Sequence, residues 1–172
     1  MRINVFQQLK SPIGSKLAYE VRELVDITGS DSHVEGKTTL VRTDRGILAE
    51  AKLHTEVKLT CSRCLTLFDC SLTLNIEEEY LPTTDVVSGV SLTVPDEAGC
   101  FIVDEHHILD LTEAIRQYAL LAIPMKPLCR QNCVGLCPAC GHNLNQGPCH
   151  CPSRQADPRW AKLKKLASAN SV

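Results

Sequence analysis

The chain is predicted to be α+β: a mainly antiparallel sheet or partial barrel packed by one central helix, followed by a zinc-stabilised C-terminal module and a terminal helix. Three observations predict this. Apolar and polar residues alternate through much of 38–76, which is the period of a strand. A single stretch, 111–123, carries the helical period, and the run from Cys129 to Cys151, dense in Cys, Gly, Pro and Asn, carries neither. At 172 residues the chain is long enough to bury a core. It divides into a β-rich domain with the central helix over 1–128 and a cysteine-rich module with the terminal helix over 129–172. Only seven residues are aromatic, so the core is expected to be aliphatic.

From His33 to Tyr80 the sequence reads as antiparallel strands. Thr38–Thr43, the turn residues Asp44-Arg45-Gly46 and the run Ile47–Thr60 read as a hairpin, with Leu48, Leu53, Val57 and Leu59 as apolar positions of the second strand. Cys61-Ser62-Arg63-Cys64 interrupts the strand pattern. Phe68, Cys70, Leu72, Leu74 and Ile76 then alternate with polar residues up to the acidic run Glu77-Glu78-Glu79, which places a cysteine knuckle at the tip of a second hairpin. Residues 81–99 read as a loop with one short strand near Val90–Val94, and order returns at Cys100–Val103.

Asp110 reads as a helix N-cap and Glu113 as its capping-box partner. They open a stripe of Leu111, Ala114, Ile115, Tyr118, Ala119, Ala122 and Ile123 that Pro124 and Pro127 end. Asp157-Pro158 opens the terminal helix, which runs to about Ser168 with Trp160, Leu163 and Leu166 on one side.

No stretch approaches the roughly 20 apolar residues that span a bilayer, and Met1–Lys10 lacks the apolar block of a secretory signal. A cytoplasmic protein with no membrane contact is expected. Thiols stay reduced in that compartment, so cysteines at short regular spacing read as metal ligands in preference to disulfides.

Of the ten cysteines, eight fall into four close pairs: Cys61 with Cys64, Cys129 with Cys133, Cys137 with Cys140, and Cys149 with Cys151. Zinc takes four thiolates in a tetrahedron, and a short turn brings two of them onto one metal, so four pairs make two structural zinc sites. In Cys137-Pro138-Ala139-Cys140-Gly141 the glycine lets the backbone turn tightly and aim its amides at the sulfurs. Cys149 and Cys151 are the natural partners of this knuckle, which leaves Cys129 and Cys133 for Cys61 and Cys64. Structural zinc contributes on the order of 10 kcal/mol, so such a clip would stabilise the fold strongly. Cys70 and Cys100 read as core or half-buried thiols, and His142 and His150 stand close enough in sequence to replace a cysteine ligand.

A thioredoxin-like role for Cys61 and Cys64 needs a strand-to-helix junction, and β pattern lies on both sides of them. Catalytic zinc needs an open ligand position and a nearby acid or base; the tail has one carboxylate, Asp157, and closed four-cysteine sites. No enzyme active site and no small-molecule substrate are expected. A thiol-sensor reading rests on cysteine number alone and requires reactive thiols beyond Cys70 and Cys100.

Charge is unevenly spread. Residues 1–128 hold 12 basic and 19 acidic side chains, a balance of −7, and residues 129–172 hold 6 and 1, a balance of +5. Two tetrathiolate zinc sites, each formally −2, would bring the tail to about +1. Any direct RNA contact is assigned to Arg154, Arg159, Lys162, Lys164 and Lys165.

The order of motifs resembles the bacterial YceD family: a β-rich first half, Cys61-Ser62-Arg63-Cys64-Leu65, the helix from Leu109-Asp110-Leu111 to Ile123-Pro124, Gly135-Leu136-Cys137, and Cys140-Gly141-His142-Asn143-Leu144-Asn145, followed by Asp157-Pro158-Arg159. The resemblance covers about Leu40 to Leu166. It implies a ribosome biogenesis factor that supports accumulation of large-subunit (23S) ribosomal RNA, and a partner that is either that RNA or a ribosomal protein. Family members that lack the downstream cysteines imply that zinc in the tail is structural. The alternative is a zinc-shaped docking module, without RNA contact, whose acidic half and Glu77-Glu78-Glu79 attract a basic ribosomal protein.

Overall fold

A computed structural model describes residues 1–93 and 100–151. Its elements are strands β1 (Arg2–Asn4), β2 (Lys16–Asp26), β3 (Asp31–Arg42), β4 (Ile47–Thr60), β5 (Leu67–Pro82), β6 (Phe101–Val103) and β7 (Ile108–Asp110), with helices α1 (Phe6–Lys10) and α2 (Thr112–Ala122). One sheet contains all seven strands in the order β1-β7-β6-β5-β4-β3-β2. Every pairing is antiparallel except β5 with β6. The strand period of 38–76 continues through both expected hairpins, because one residue in two must face the core and the other water.

The sheet is a half-barrel closed over by short helices. Helix α1 touches both of its sides: the Val5 amide donates to the His107 carbonyl, 2.9 Å away beside β7, and Gln8 Nε2 donates to the Leu40 carbonyl on β3 at 2.6 Å. Flat, β7 and β3 would stand four strand spacings apart, about 19 Å; curling brings both within reach of one five-residue helix. Helix α2 lies on the same inner face against β5 and β2, contributing Ala114, Ile115 and Ala119 to the core. That core is aliphatic apart from Tyr80, the one fully buried aromatic among the described residues, which stacks on Phe101 with ring centroids 5.2 Å apart.

Several positions differ from expectation. On β4 the buried face is Ile47, Ala49, Ala51, Leu53, Thr55 and Val57, and Leu48 points the other way, one residue out of phase. Asp110 ends β7 opposite Arg2, one residue ahead of the cap position Leu111; its Oδ1 still accepts from the Thr112 amide at 3.0 Å and hydroxyl at 2.6 Å, while Glu113 bonds Gln117 and no capping box forms. The helix stops where expected, Ile123 being extended ahead of Pro124 as a residue before proline prefers. Cys70 packs half-buried against the core, whereas Cys100 is exposed. The 81–99 segment starts two residues late because β5 runs to Pro82; beyond it Thr84 bridges Ser91. Over Val90–Thr93 the short strand expected near Val90–Val94 is reduced to that single bridge, and Val94 and the terminal helix from Asp157 lie outside the described residues.

Candidate metal centres

β4 and β5 run past the main core and end in a tight connection, Cys61 to Thr66. Within it the Leu65 amide donates to the Cys61 carbonyl and the Cys61 amide to the Thr66 carbonyl, each at 3.0 Å. This folds Cys61 and Cys64 onto one side. The segment leaving α2 comes back to the same tip, where the Ser62 amide donates to the Pro127 carbonyl at 2.9 Å and Arg63 Nη1 to the Cys133 carbonyl at 2.8 Å. Gly135, at φ +87°, lies against Arg63, and a Cβ there would sit 3.1 Å from the Arg63 carbonyl oxygen. Glycine lets the two segments close.

The result is a cluster of Cys61, Cys64, Cys129 and Cys133 whose sulfurs all lie within 4.8 Å of one another. Cys61 Sγ is 3.7 Å from Cys133 Sγ, and Cys64 Sγ is 3.6 Å from Cys129 Sγ. Four sulfurs at about 2.3 Å from a tetrahedral zinc stand about 3.8 Å apart, so this spacing fits the ion. Phe68, Leu128 and Leu136 wrap the cluster in apolar surface.

A second cluster joins Cys137, Cys140, Cys149 and Cys151, again within 4.8 Å. Here the Ala139 amide points at Cys137 Sγ, 3.4 Å away. Gly141 does not aim its own amide at a sulfur; it donates to the Cys137 carbonyl at 2.9 Å, and its φ of +73° turns the chain. His142 and His150 are exposed and belong to neither cluster.

The thiol equilibria are those of crowded sulfurs. Backbone amides, Cys129's first and then those of Cys64 and Arg63, bring Cys61 down to about 6 against the opposing effect of burial. The amides of Cys140 and Ala139 do the same for Cys137, also to about 6. Cys64 is lowered by the Thr66 hydroxyl and amide. Burial and the sulfurs of Cys64, Cys61 and Cys133 push Cys129 up to about 12, and Cys140 foremost, with burial, pushes Cys151 up to about 12. Four thiolates this close repel one another, so the protons are shared unequally; a dication removes the repulsion and favours all four anions. The donor set is soft, closed and deprotonatable, which fits zinc.

The comparisons add lineage. The family model for "Large ribosomal RNA subunit accumulation protein YceD" matches residues 49–167. The chain belongs to the YceD family. The match begins inside β4, so the N-terminal strands β1 and β2, α1 and all of β3 lie ahead of the YceD region, while both cysteine clusters fall within it. Uncharacterized proteins of Mycobacterium tuberculosis and Mycobacterium bovis are 32% identical over 126 residues, covering 73% of this chain and 58% of each relative. One of Mycobacterium leprae is 32% identical over 106 residues, 62% of this chain and 46% of that relative. The chain thus spans about half the length of the curated relatives it matches. No solved structure matches. Among the described residues no helix is long and apolar enough to cross a membrane.

The five basic residues expected to meet RNA, Arg154, Arg159, Lys162, Lys164 and Lys165, lie outside the described residues. The acidic run is largely occupied: Glu79 accepts from Thr43 and Arg45, and Glu78 Oε1 from the Tyr118 hydroxyl at 2.9 Å. Sequence reasoning missed Asn143, Asn145 and Thr66, which hydrogen-bond at the first cluster. The only signal for the two asparagines is Cys140-Gly141-His142-Asn143-Leu144-Asn145 itself, and Thr66 has none, since short polar side chains in a loop read as turn formers.

Proposed function

We propose that this chain is a non-enzymatic ribosome biogenesis factor that supports accumulation of 23S ribosomal RNA and large-subunit assembly in the cytoplasm. The family match over 49–167 is the observation that carries this reading. In it, Cys61, Cys64, Cys129 and Cys133 hold one structural zinc and Cys137, Cys140, Cys149 and Cys151 a second. The spacing of the sulfurs supports both assignments. The module 129–172 is then tied to the domain 1–128 through the Cys61/Cys64 tip, and it presents Arg154, Arg159, Lys162, Lys164 and Lys165 to large-subunit RNA. A tetrathiolate zinc leaves no open position for a substrate, which supports a scaffold in preference to a catalyst. Docking of a basic ribosomal protein on Glu77-Glu78-Glu79 is the weaker reading, because Glu78 and Glu79 already serve internal hydrogen bonds.

Depletion of the protein from its own cell tests the proposal. The ratio of large- to small-subunit ribosomal RNA should fall, with free large subunits depleted in sedimentation profiles. An unchanged ratio would overturn the assembly role. Charge reversal of the five basic residues should weaken RNA association and flatten its salt dependence.

A further inference from the structure

We infer that Asn143 and Asn145, which lie between two ligands of the second cluster, hold the sulfurs of the first, so that metal loading of the second cluster tightens metal binding at the first. This rests on the reading that both clusters hold metal.

Residues 141–148 form the loop between Cys140 and Cys149, and that loop reaches back to the hairpin tip. Asn145 Nδ2 donates to Cys133 Sγ at 3.3 Å and to Asn143 Oδ1 at 2.7 Å. Its Oδ1 accepts from the Val134 amide at 2.9 Å and from Arg130 Nη2 at 2.6 Å. Two donors therefore fix the oxygen end, and the amine end has to face the sulfur. Asn143 Oδ1 also accepts from the Asn145 amide at 3.0 Å, and its Nδ2 donates to Thr66 Oγ1 at 3.3 Å. The Thr66 hydroxyl in turn lies 3.4 Å from Cys64 Sγ. Of the four sulfurs of the other cluster, Asn145 thus reaches Cys133 directly and Asn143 reaches Cys64 through the Thr66 hydroxyl.

The chemistry gives these contacts a direction. An N–H or O–H donor on a thiolate favours the anion that a metal needs, and such outer partners are worth about 10–100-fold in metal affinity. Cys140 and Cys149 fix the ends of the loop only when one metal holds both. Otherwise the loop rests on the backbone bonds of Cys137 to His142 at 2.8 Å and Leu144 to Gly135 at 2.9 Å and on the Asn145 contacts to Val134 and Arg130. Filling the second cluster prepays the ordering of Asn143 and Asn145, and linkage makes the coupling reciprocal. Asn145 is the positioning residue at its centre.

The test uses the full chain with Zn²⁺ against a chromophoric chelator and with Co²⁺ as a spectroscopic probe. Cys137→Ser/Cys140→Ser and Asn145→Leu should each weaken the first cluster about 10–100-fold. Combined, they should weaken it little more than either alone, because both remove the same contact. In Asn145→Leu the sulfur-to-cobalt charge-transfer band of the first cluster should move to lower energy, since the lost donor no longer stabilises the sulfur lone pair. A purely structural role would lower the melting temperature and leave the band in place. Should Asn145→Leu fail to fold, Asn145→Asp keeps the shape and turns a donor against the thiolate into an acceptor, with the same weakening expected. Native affinity and an unshifted band at the first cluster would overturn the inference, as would indifference to the loss of Cys137 and Cys140. Two metals bound independently would overturn the coupling alone; a native chain that binds none would overturn the metal reading with it.

Discussion

At Cys61 and Cys129 a single cluster holds both extremes of thiol acidity. Amides lower Cys61 to about 6, whereas burial and neighbouring sulfurs raise Cys129 to about 12. Zinc must displace whatever protons the sulfurs carry. Near neutral pH those come from thiols such as Cys129 and Cys151, while Cys61 and Cys137 are already anionic. A thiol whose value is depressed on folding stays anionic above that value and regains its proton as pH falls through it. Affinity should therefore decline as pH falls and decline more steeply below about 6, where Cys61 and Cys137 also compete for protons. Chelator competition from about pH 8 to about pH 5 reads this directly, and an affinity that stays flat across that range would contradict it. The four cysteine pairs were legible because ligand spacing is a property of the chain itself. Asn145 was not, since its value depends on Cys133, Val134 and Arg130 arriving together.

Among elements, the two hairpins were the most legible and the N-terminal strands the least. β4 and β5 bury every second residue over a long run, so their period is visible. β2 is an edge strand in which Val21 and Val25 share the buried face, but the polar Glu23 stands between them and Leu24 lies exposed on the opposite face, so the apolar–polar alternation is broken in the sequence. β1 and β7 are three residues each, too short for any period, and they exist because they pair with one another. That pairing also takes Asp110 into β7. Two glycines in the segments that carry the cysteine clusters separate the effects of conformation and space. Gly141 has φ +73° and nothing within 4 Å of an added Cβ, so Gly141→Ala should cost only the left-handed backbone term, about 1 kcal/mol. Gly135 has φ +87° and the Arg63 carbonyl 3.1 Å from the added Cβ, so Gly135→Ala should cost more, about 2–3 kcal/mol, and loosen the Arg63 contact to Cys133. Thermal melts of the zinc-loaded variants rank them; a larger loss for Gly141→Ala would reverse the assignment.

For the whole molecule, the packing separates what the sheet holds from what a metal holds. The main core takes residues from every strand and both helices, including Ile3, Leu9, Val21, Leu40, Leu53, Leu74, Val103, Leu109 and Ile115, and none of the eight clustered cysteines. The first cluster has its own small apolar shell at the β4–β5 tip, and the second has no buried aliphatic neighbour of comparable size among the described residues. Burial is therefore expected to sustain the half-barrel without metal, whereas 129–151 should depend on the proposed metals for most of its order. Chelation should leave the far-UV strand signal largely intact and open this segment to trypsin at the exposed Arg130, whose guanidinium contact to Asn145 is lost when the loop relaxes. Mass analysis of the early fragments reads the cut, and restored zinc should suppress it. Simultaneous loss of the strand signal and of protection would mean that the zinc sites and the sheet form one cooperative unit, with the contacts of Ser62 to Pro127 and Arg63 to Cys133 transmitting the collapse.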